Sequence, residues 1–299
     1  MNLGVPLGLS SGLCWGAADF FGGIQSRRLP ALTVAFWSQA AGALALAVAL
    51  AVLAVGGSRP VATGVAWGVA GGVGSGLALA LFYRGLAEGT MSVVAPVSAC
   101  GAVVPVAAAL LTGDRPDALA GVGVVAAVTG VALVSRPRPP SRGVQPPRGG
   151  AGRAGRVLAM ALGSAVGFGL FYVFVDAGTG AGAGTTGSRS SPLWVIAGAR
   201  ASSLVMLSMI ALVGRRSALR WPGRRIGPVA LVGIGDTGAN LLFAYAATTG
   251  SLAVVGVLGS LYPVATVVLA RWLLGERLSG GQNAGVVLAL TGVGLLAAA

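Results

Sequence analysis

The chain has no histidine and no lysine, only seven acidic residues among 299, and two cysteines far apart. Each absence removes a class of function. Cys14 and Cys100 both lie inside apolar segments. Without histidine they cannot complete a zinc ligand set, so neither a metal site nor zinc hydrolysis is expected. The two cysteines read as small packing residues. Charged residues make up 9% of the chain and hydrophobic ones 55%, far from the quarter charged that a water-facing surface carries. Such a chain expects lipid. Its first apolar stretch follows only Met1 and Asn2, lacks a basic leader and holds an acid. That reads as a first spanning helix and not as a cleaved signal peptide. The net charge of +13 resembles that of a nucleic-acid binder, but it is all arginine and nearly all of it lies between apolar segments. No nucleic-acid partner is expected.

What is there is apolar and repetitive. Runs of about 20 apolar residues cross the hydrocarbon core of a bilayer. Ten such spans fall near 3–24, 31–55, 63–86, 91–112, 117–135, 155–176, 192–213, 227–249, 251–274 and 281–298. The stretch from Leu261 to Leu296 pairs two of them around a polar turn, Gly275-Glu276-Arg277. A copy stands 162 residues upstream without a gap, with Gly113-Asp114-Arg115 for the turn. Thr129-Gly130-Val131 answers Thr291-Gly292-Val293, Gly123-Val124 answers Gly285-Val286, and Tyr83 and Ser98 answer Tyr245 and Ser260. One offset joining these marks a tandem duplication. The first repeat is 3–135, a Pro/Arg/Gly-rich linker is 136–154, and the second repeat is 155–298. Five crossings per repeat is an odd number, so the second repeat sits upside down relative to the first. The expected fold is an all-α integral membrane protein of ten transmembrane helices in two inverted five-helix repeats. That is the architecture of secondary transporters, with the substrate site near the midplane.

Two polar stretches interrupt the pattern. Arg136 to Arg156 cannot bury apolar surface and is expected to be an irregular tether. Thr179 to Ser191 reads as an insertion of about eleven residues, because Gly12 and Gly16 align with Gly163 and Gly167 at a shorter offset of 151. Sixteen arginines lie in the odd-numbered loops and the linker, against three in the even loops. The positive-inside rule then places the linker in the cytoplasm and both termini outside. Gly64, Gly68, Gly72 and Gly76 run along one face of the third span, a surface for close helix packing or for sliding.

Charged side chains at membrane depth cost roughly 2.5–3.5 kcal/mol each on insertion scales, so each needs a partner or a wet cavity. Arg200 and Asp236 stand near the middle of adjacent spans, with Asn240 one turn after Asp236. An Arg200–Asp236 ion pair is the simplest way to satisfy both, and it serves structure or substrate equally well. Asp19 follows Trp15 by one turn and would face the same cavity; Asp176 lies at a span end, near water. Gln39, Tyr83, Ser98, Tyr245, Ser260 and Tyr262 are polar groups of other spans that could line it. Pro96, Pro105 and Pro263 suggest discontinuous helices, whose freed backbone groups face a cavity. Arg84 and Glu88 read as a local pair at a span end.

Gly233-Ile234-Gly235-Asp236 has the GxGD form found around a catalytic acid of intramembrane aspartyl proteases. The context does not fit: Asp19 follows Ala18 and Asp176 follows Val175 where a tyrosine belongs, and Pro30-Ala31-Leu32 comes early instead of late. The chain instead resembles the EamA-type branch of the drug/metabolite transporter superfamily. The resemblance rests on Trp15-Gly16, on Leu261-Tyr262-Pro263-Val264, and on Leu274-Gly275-Glu276-Arg277-Leu278 with Gln282, Gly285 and Gly292 beyond. The first repeat departs from the pattern, with Asp114 for the glutamate and Pro116 after Arg115. The resemblance implies secondary transport of small solutes, often efflux of amino acids or other metabolites, by alternating access. It also implies cytoplasmic termini, opposite to the arginine count.

The expected protein is therefore an exporter of small metabolites in a bacterial plasma or inner membrane, with no enzymatic activity and no cofactor. Asp19 or Asp236 would be its protonatable coupling group. Its expected partners are a small-molecule substrate and the bilayer, with a homodimer left open. A membrane-embedded aspartyl enzyme using Asp236, and a lipid flippase or non-transporting membrane partner, are the alternatives.

Overall fold

The computed structural model describes residues 4–53, 60–111, 118–134, 150–179, 191–214, 219–249 and 262–298. All the regular structure there is helical. The first repeat gives α1 (Gly4–Ser26), α2 (Ala31–Leu53), α3 (Ala62–Glu88), α4 (Met91–Ala99), α5 (Val103–Leu111) and α6 (Ala118–Val134). The second gives α7 (Gly150–Thr179), α8 (Pro192–Gly214), α9 (Ile226–Thr249), α10 (Tyr262–Leu274) and α11 (Gly280–Ala298). Apolar residues occur all round these helices, so local propensity sets their existence and punctuation sets their ends. Pro192 sits at the first position of α8, where its missing N–H costs nothing. Gly275 ends α10 with φ +63°, a left-handed turn that glycine adopts without strain.

The boundaries differ from the expected spans in two places. The fourth span is not continuous: a 3₁₀ turn at Cys100–Ala102 separates α4 from α5. Pro96 lies inside α4 without ending it; the break comes between Pro96 and Pro105, each lacking a ladder donor. The linker's end is helical, since α7 begins at Gly150 and carries Arg153 and Arg156 in its first turns. Arg156 pairs with Glu88 at 3.3 Å and Arg153 donates to the Glu88 carbonyl at 2.8 Å. Glu88 thus recruits arginines that the sequence places in a tether, besides its own Arg84 at 2.9 Å. Residues 136–149 and 180–190 lie outside the described residues.

The packing is two-fold. Helix α3 lies against α7 and α8, and α9 lies against α1 and α2. Helix α6 packs on α11, α2 on α8, and α10 on both α1 and α4. With α4 also on α7, exchanging each first-repeat helix for its second-repeat partner returns these same contacts. At residue level, a side chain at Gly130 would strike Ala289 and Gly285, and one at Gly292 would strike Ala127 and Gly123. Those two sets are related by the 162-residue offset.

Glycine makes the close approaches. Gly68 meets the backbone of Val195, Gly72 meets Ala199 and Ser202, and Gly76 meets Ser203, so the glycine face of α3 is the seat of α8. Gly72→Ala is expected to destabilise the protein by about 1–3 kcal/mol through overpacking. Gly152→Ala, where nothing lies within 4 Å, should be neutral or mildly stabilising. Thermal unfolding of the two variants in detergent checks the difference; equal melting would remove the packing role of the α3 face.

The odd-numbered turns gather at one end. Arg27 donates to the carbonyls of Leu86 and Gly89 and pairs with Glu276 at 3.2 Å. Trp37 donates to the carbonyl of Arg220 at 3.2 Å. A buried apolar cluster fills this arginine-rich end: Phe20, Val34, Phe82, Tyr83, Leu86, Met91 and Val94 belong to it, and each lies in the half of its helix nearest these turns. Glu276 accepts from the backbone N–H groups of Met91 and Ser92 at 3.0 and 2.9 Å. A carboxylate of the second repeat therefore caps the N-terminus of α4 in the first.

The outer faces are apolar. Leu44, Val48 and Val52 on α2, Val122 and Val125 on α6, and Leu231 on α9 all stand exposed. Five helices, α2, α3, α7, α8 and α9, are long and apolar enough to cross a membrane, and α6 and α10 are shorter apolar helices.

Candidate functional site

A cavity of about 100 Å³ opens among α1, α2, α3, α7, α8, α9 and α10. On α3, α8 and α9 it sits near mid-length, while on α10 it is lined by Tyr262, the first described residue of that helix. On α3 the lining residue Ser75 lies about midway between Trp67 and Arg84. Those two residues are 17 positions apart, roughly 25 Å along the axis. Tryptophan and arginine favour membrane interfaces, and Ser75 stands between the two.

Asp236 of α9, Arg200 of α8 and Gln39 of α2 form one network. Arg200 Nη2 donates to the Asp236 carboxylate, and Nη1 donates to Gln39 Oε1 at 2.7 Å. The Arg200 side chain is 9% exposed and that of Asp236 28%, so the carboxylate is the member that faces the cavity. Asn240 Nδ2 donates to the backbone carbonyl of Asp236 at 2.7 Å. Asp19 of α1 lines the same space and has no hydrogen-bond or ion-pair partner among the described residues. Trp15 meets Phe243 with ring centroids 5.6 Å apart and Tyr262 at 6.5 Å. Gly16 explains why tryptophan and glycine occur together: it lets α10 approach, and Thr266 Oγ1 donates to its carbonyl at 3.0 Å. The close contact fixes the register that aims Trp15 and Asp19 inward.

Of the residues expected at the site, the cavity brings together Trp15, Asp19, Gln39, Arg200, Asp236, Asn240 and Tyr262. Tyr83 does not line it. Its ring is buried in the core below, against Gly22, which has no side chain to exclude it. Ser98 does not line it either: its hydroxyl meets Ser164 Oγ at 2.7 Å and ties α4 to α7. Ser260 and the side chains of Tyr245 and Asp176 lie outside what is described. Sequence reasoning missed Ser75, Leu79, Phe168, Phe171, Tyr172 and Ala199. Phe168 and Tyr172 are spaced four apart on α7, but in a helix apolar all round that spacing does not mark an inner face.

An all-helical bundle with apolar outer faces around an inner cavity defines a multi-pass membrane protein. The EamA-like transporter family matches residues 2–136 and 155–298, one match for each repeat, and the chain belongs to it. Membership makes it a membrane transporter of the drug/metabolite transporter superfamily. A crystal structure of a protein matches at TM-score 0.61 and 17% identity, covering 98% of this chain and 95% of its own. At that identity it speaks to the fold alone. No curated protein matches.

Proposed function

We propose that this protein is a secondary active transporter that exports small amphipathic metabolites across a bacterial cell membrane by alternating access, coupled to protons through Asp19. The observation that carries the reading is the cavity, where charged side chains from both repeats meet aromatic walls. A buried apolar core fills the arginine-rich end, the kind of plug that one state of an alternating-access cycle requires. Arg200 and Asp236 neutralise each other, whereas Asp19 has no partner among the described residues to offset its charge. A lone ionised carboxylate within a membrane is costly, and a proton is the simplest way to discharge it. Asp19→Asn is expected to abolish dissipation of an imposed pH gradient in proteoliposomes while the variant remains folded. Unchanged proton flux in that variant would remove the coupling role.

In this reading ten crossings are made: the five long helices, joined by α1, the broken pair α4–α5, α6, α10 and α11. The arginine-rich end faces the cytoplasm and both termini lie outside. A GFP fused to the C-terminus is then expected to stay dark; fluorescence would reverse the orientation. A membrane-embedded enzyme using Asp236 would need a carboxylate free to share a proton with a second one, and Arg200 holds it instead.

A further inference from the structure

Three charged side chains line the cavity, Asp19, Arg200 and Asp236, and they do not cancel. Arg200 is spent. Its two terminal nitrogens donate to Asp236 and Gln39, and the residue is only 7% exposed. A solute carboxylate therefore finds no open guanidinium fork. Asn240 gives one N–H to the Asp236 carbonyl and is a neutral group that does not alter the charge balance. What remains open to a solute is acidic: Asp19 whole, and the outer part of Asp236. The stretch 244–261 carries no charged residue and so adds nothing to this balance. Around the carboxylates stand five aromatic rings, those of Trp15, Phe168, Phe171, Tyr172 and Tyr262. Aromatic faces attract cations, more strongly where water is excluded.

On the transporter reading above, we propose that the solute is a monovalent organic cation with an aromatic or aliphatic body. Its ammonium sits beside Asp19, and it exchanges there with a single proton. Either occupant leaves Asp19 neutral, so the carboxylate is discharged in both directions of the cycle and solute and proton exclude each other. Exchange of one for the other moves no net charge across the bilayer. The groups around Asp19 are Arg200 and Asp236, held to each other, and the phenols Tyr83, Tyr172 and Tyr262. Phenols keep their protons at neutral pH, so among these described residues Asp19 is the group whose proton competes with the solute.

The test uses three probes with one body and different charge: phenethylamine, phenylalanine and 3-phenylpropanoate. Calorimetric titration into the full-length detergent-solubilised protein is expected to show binding of the amine, with phenylalanine at least tenfold weaker and the anion unbound. Amine affinity should fall by about tenfold per pH unit once Asp19 takes up its proton. In Asp19→Asn, checked for folding by gel filtration, amine binding should be lost. Phenylalanine or the anion binding as tightly as the amine would overturn the proposal, as would amine binding indifferent to pH. The pH series on the unaltered protein stands even if the variant does not fold. In proteoliposomes, amine flux that collapses a pH gradient supports the exchange. Flux of phenylalanine without amine flux overturns the cation class but leaves a transporter; no flux of any probe overturns both.

Discussion

Replacing Asp236 with alanine is expected to destabilise the protein more than any other single change in the cavity, by at least about 3 kcal/mol. The reason is an asymmetry between the two members of the pair. Removing Asp236 leaves the Arg200 guanidinium buried and charged, because arginine cannot shed its proton. Removing Arg200 leaves a carboxylate, which can take up a proton and is the more exposed member. Arg200→Ala should therefore cost less than Asp236→Ala. The double variant should recover part of the loss, because no charge is then left unpaired. Thermal unfolding in detergent measures all three. At about 2–4 °C per kcal/mol for a chain of this size class, Asp236→Ala should melt roughly 10 °C below the parent. A double variant as unstable as the sum of the singles would mean that the pair is not coupled. Transport should fail in all three, since the network also fixes Gln39 and the inner faces of α2, α8 and α9.

The same residues mark what can be read from the sequence and what cannot. The ion pair was legible because charge is so scarce that Arg200 and Asp236 had few partners to choose from. The two repeats were legible because Gly-acid-Arg and Thr-Gly-Val recur at one offset, and the reciprocal contacts of Gly130 and Gly292 give that offset a physical meaning. Side-chain direction was less legible. Tyr83 has the same credentials as Tyr262, a polar aromatic in an apolar span, yet Gly22 opens a slot that draws it into the core. Ser98 finds its partner in Ser164, on a helix of the other repeat. The aromatic wall of α7 escaped notice because Phe168, Phe171 and Tyr172 sit among apolar neighbours on every side. Where all faces are apolar, periodicity no longer separates inside from outside.

Glu276 was legible as a turn residue but not as a contact between repeats, and its substitution carries the second large expected effect. Its carboxylate accepts from two backbone N–H groups of α4 and pairs with Arg27, whose guanidinium also holds the Leu86 and Gly89 carbonyls. One side chain thus ties three turns together at the arginine-rich end, over the core that fills it. Hydrogen bonds to a charged group contribute about 1.5–3 kcal/mol each, while the partly exposed pair with Arg27 adds little. Glu276→Ala should therefore cost this end about 3 kcal/mol, and the amides of Met91 and Ser92 should exchange hydrogen roughly a hundredfold faster. Glu276→Gln keeps an acceptor and should fall between. Arg27→Ala in the Glu276→Ala background should add less than it does alone, because the two share one cluster. Unchanged exchange at the start of α4 would mean that the contact does not hold this end closed. Since the duplication sets Asp114 where Glu276 stands, and Ala253 and Val254 where Met91 and Ser92 stand, opening of this end should be favoured by Glu276→Ala and opposed by Asp114→Ala. Accessibility of the cavity from the arginine-rich end, measured by reagent labelling of a cysteine placed at Ser75 in a variant with Cys14 and Cys100 replaced, should then rise in the first and fall in the second. A change of the same sign in both would break the equivalence of the two turns.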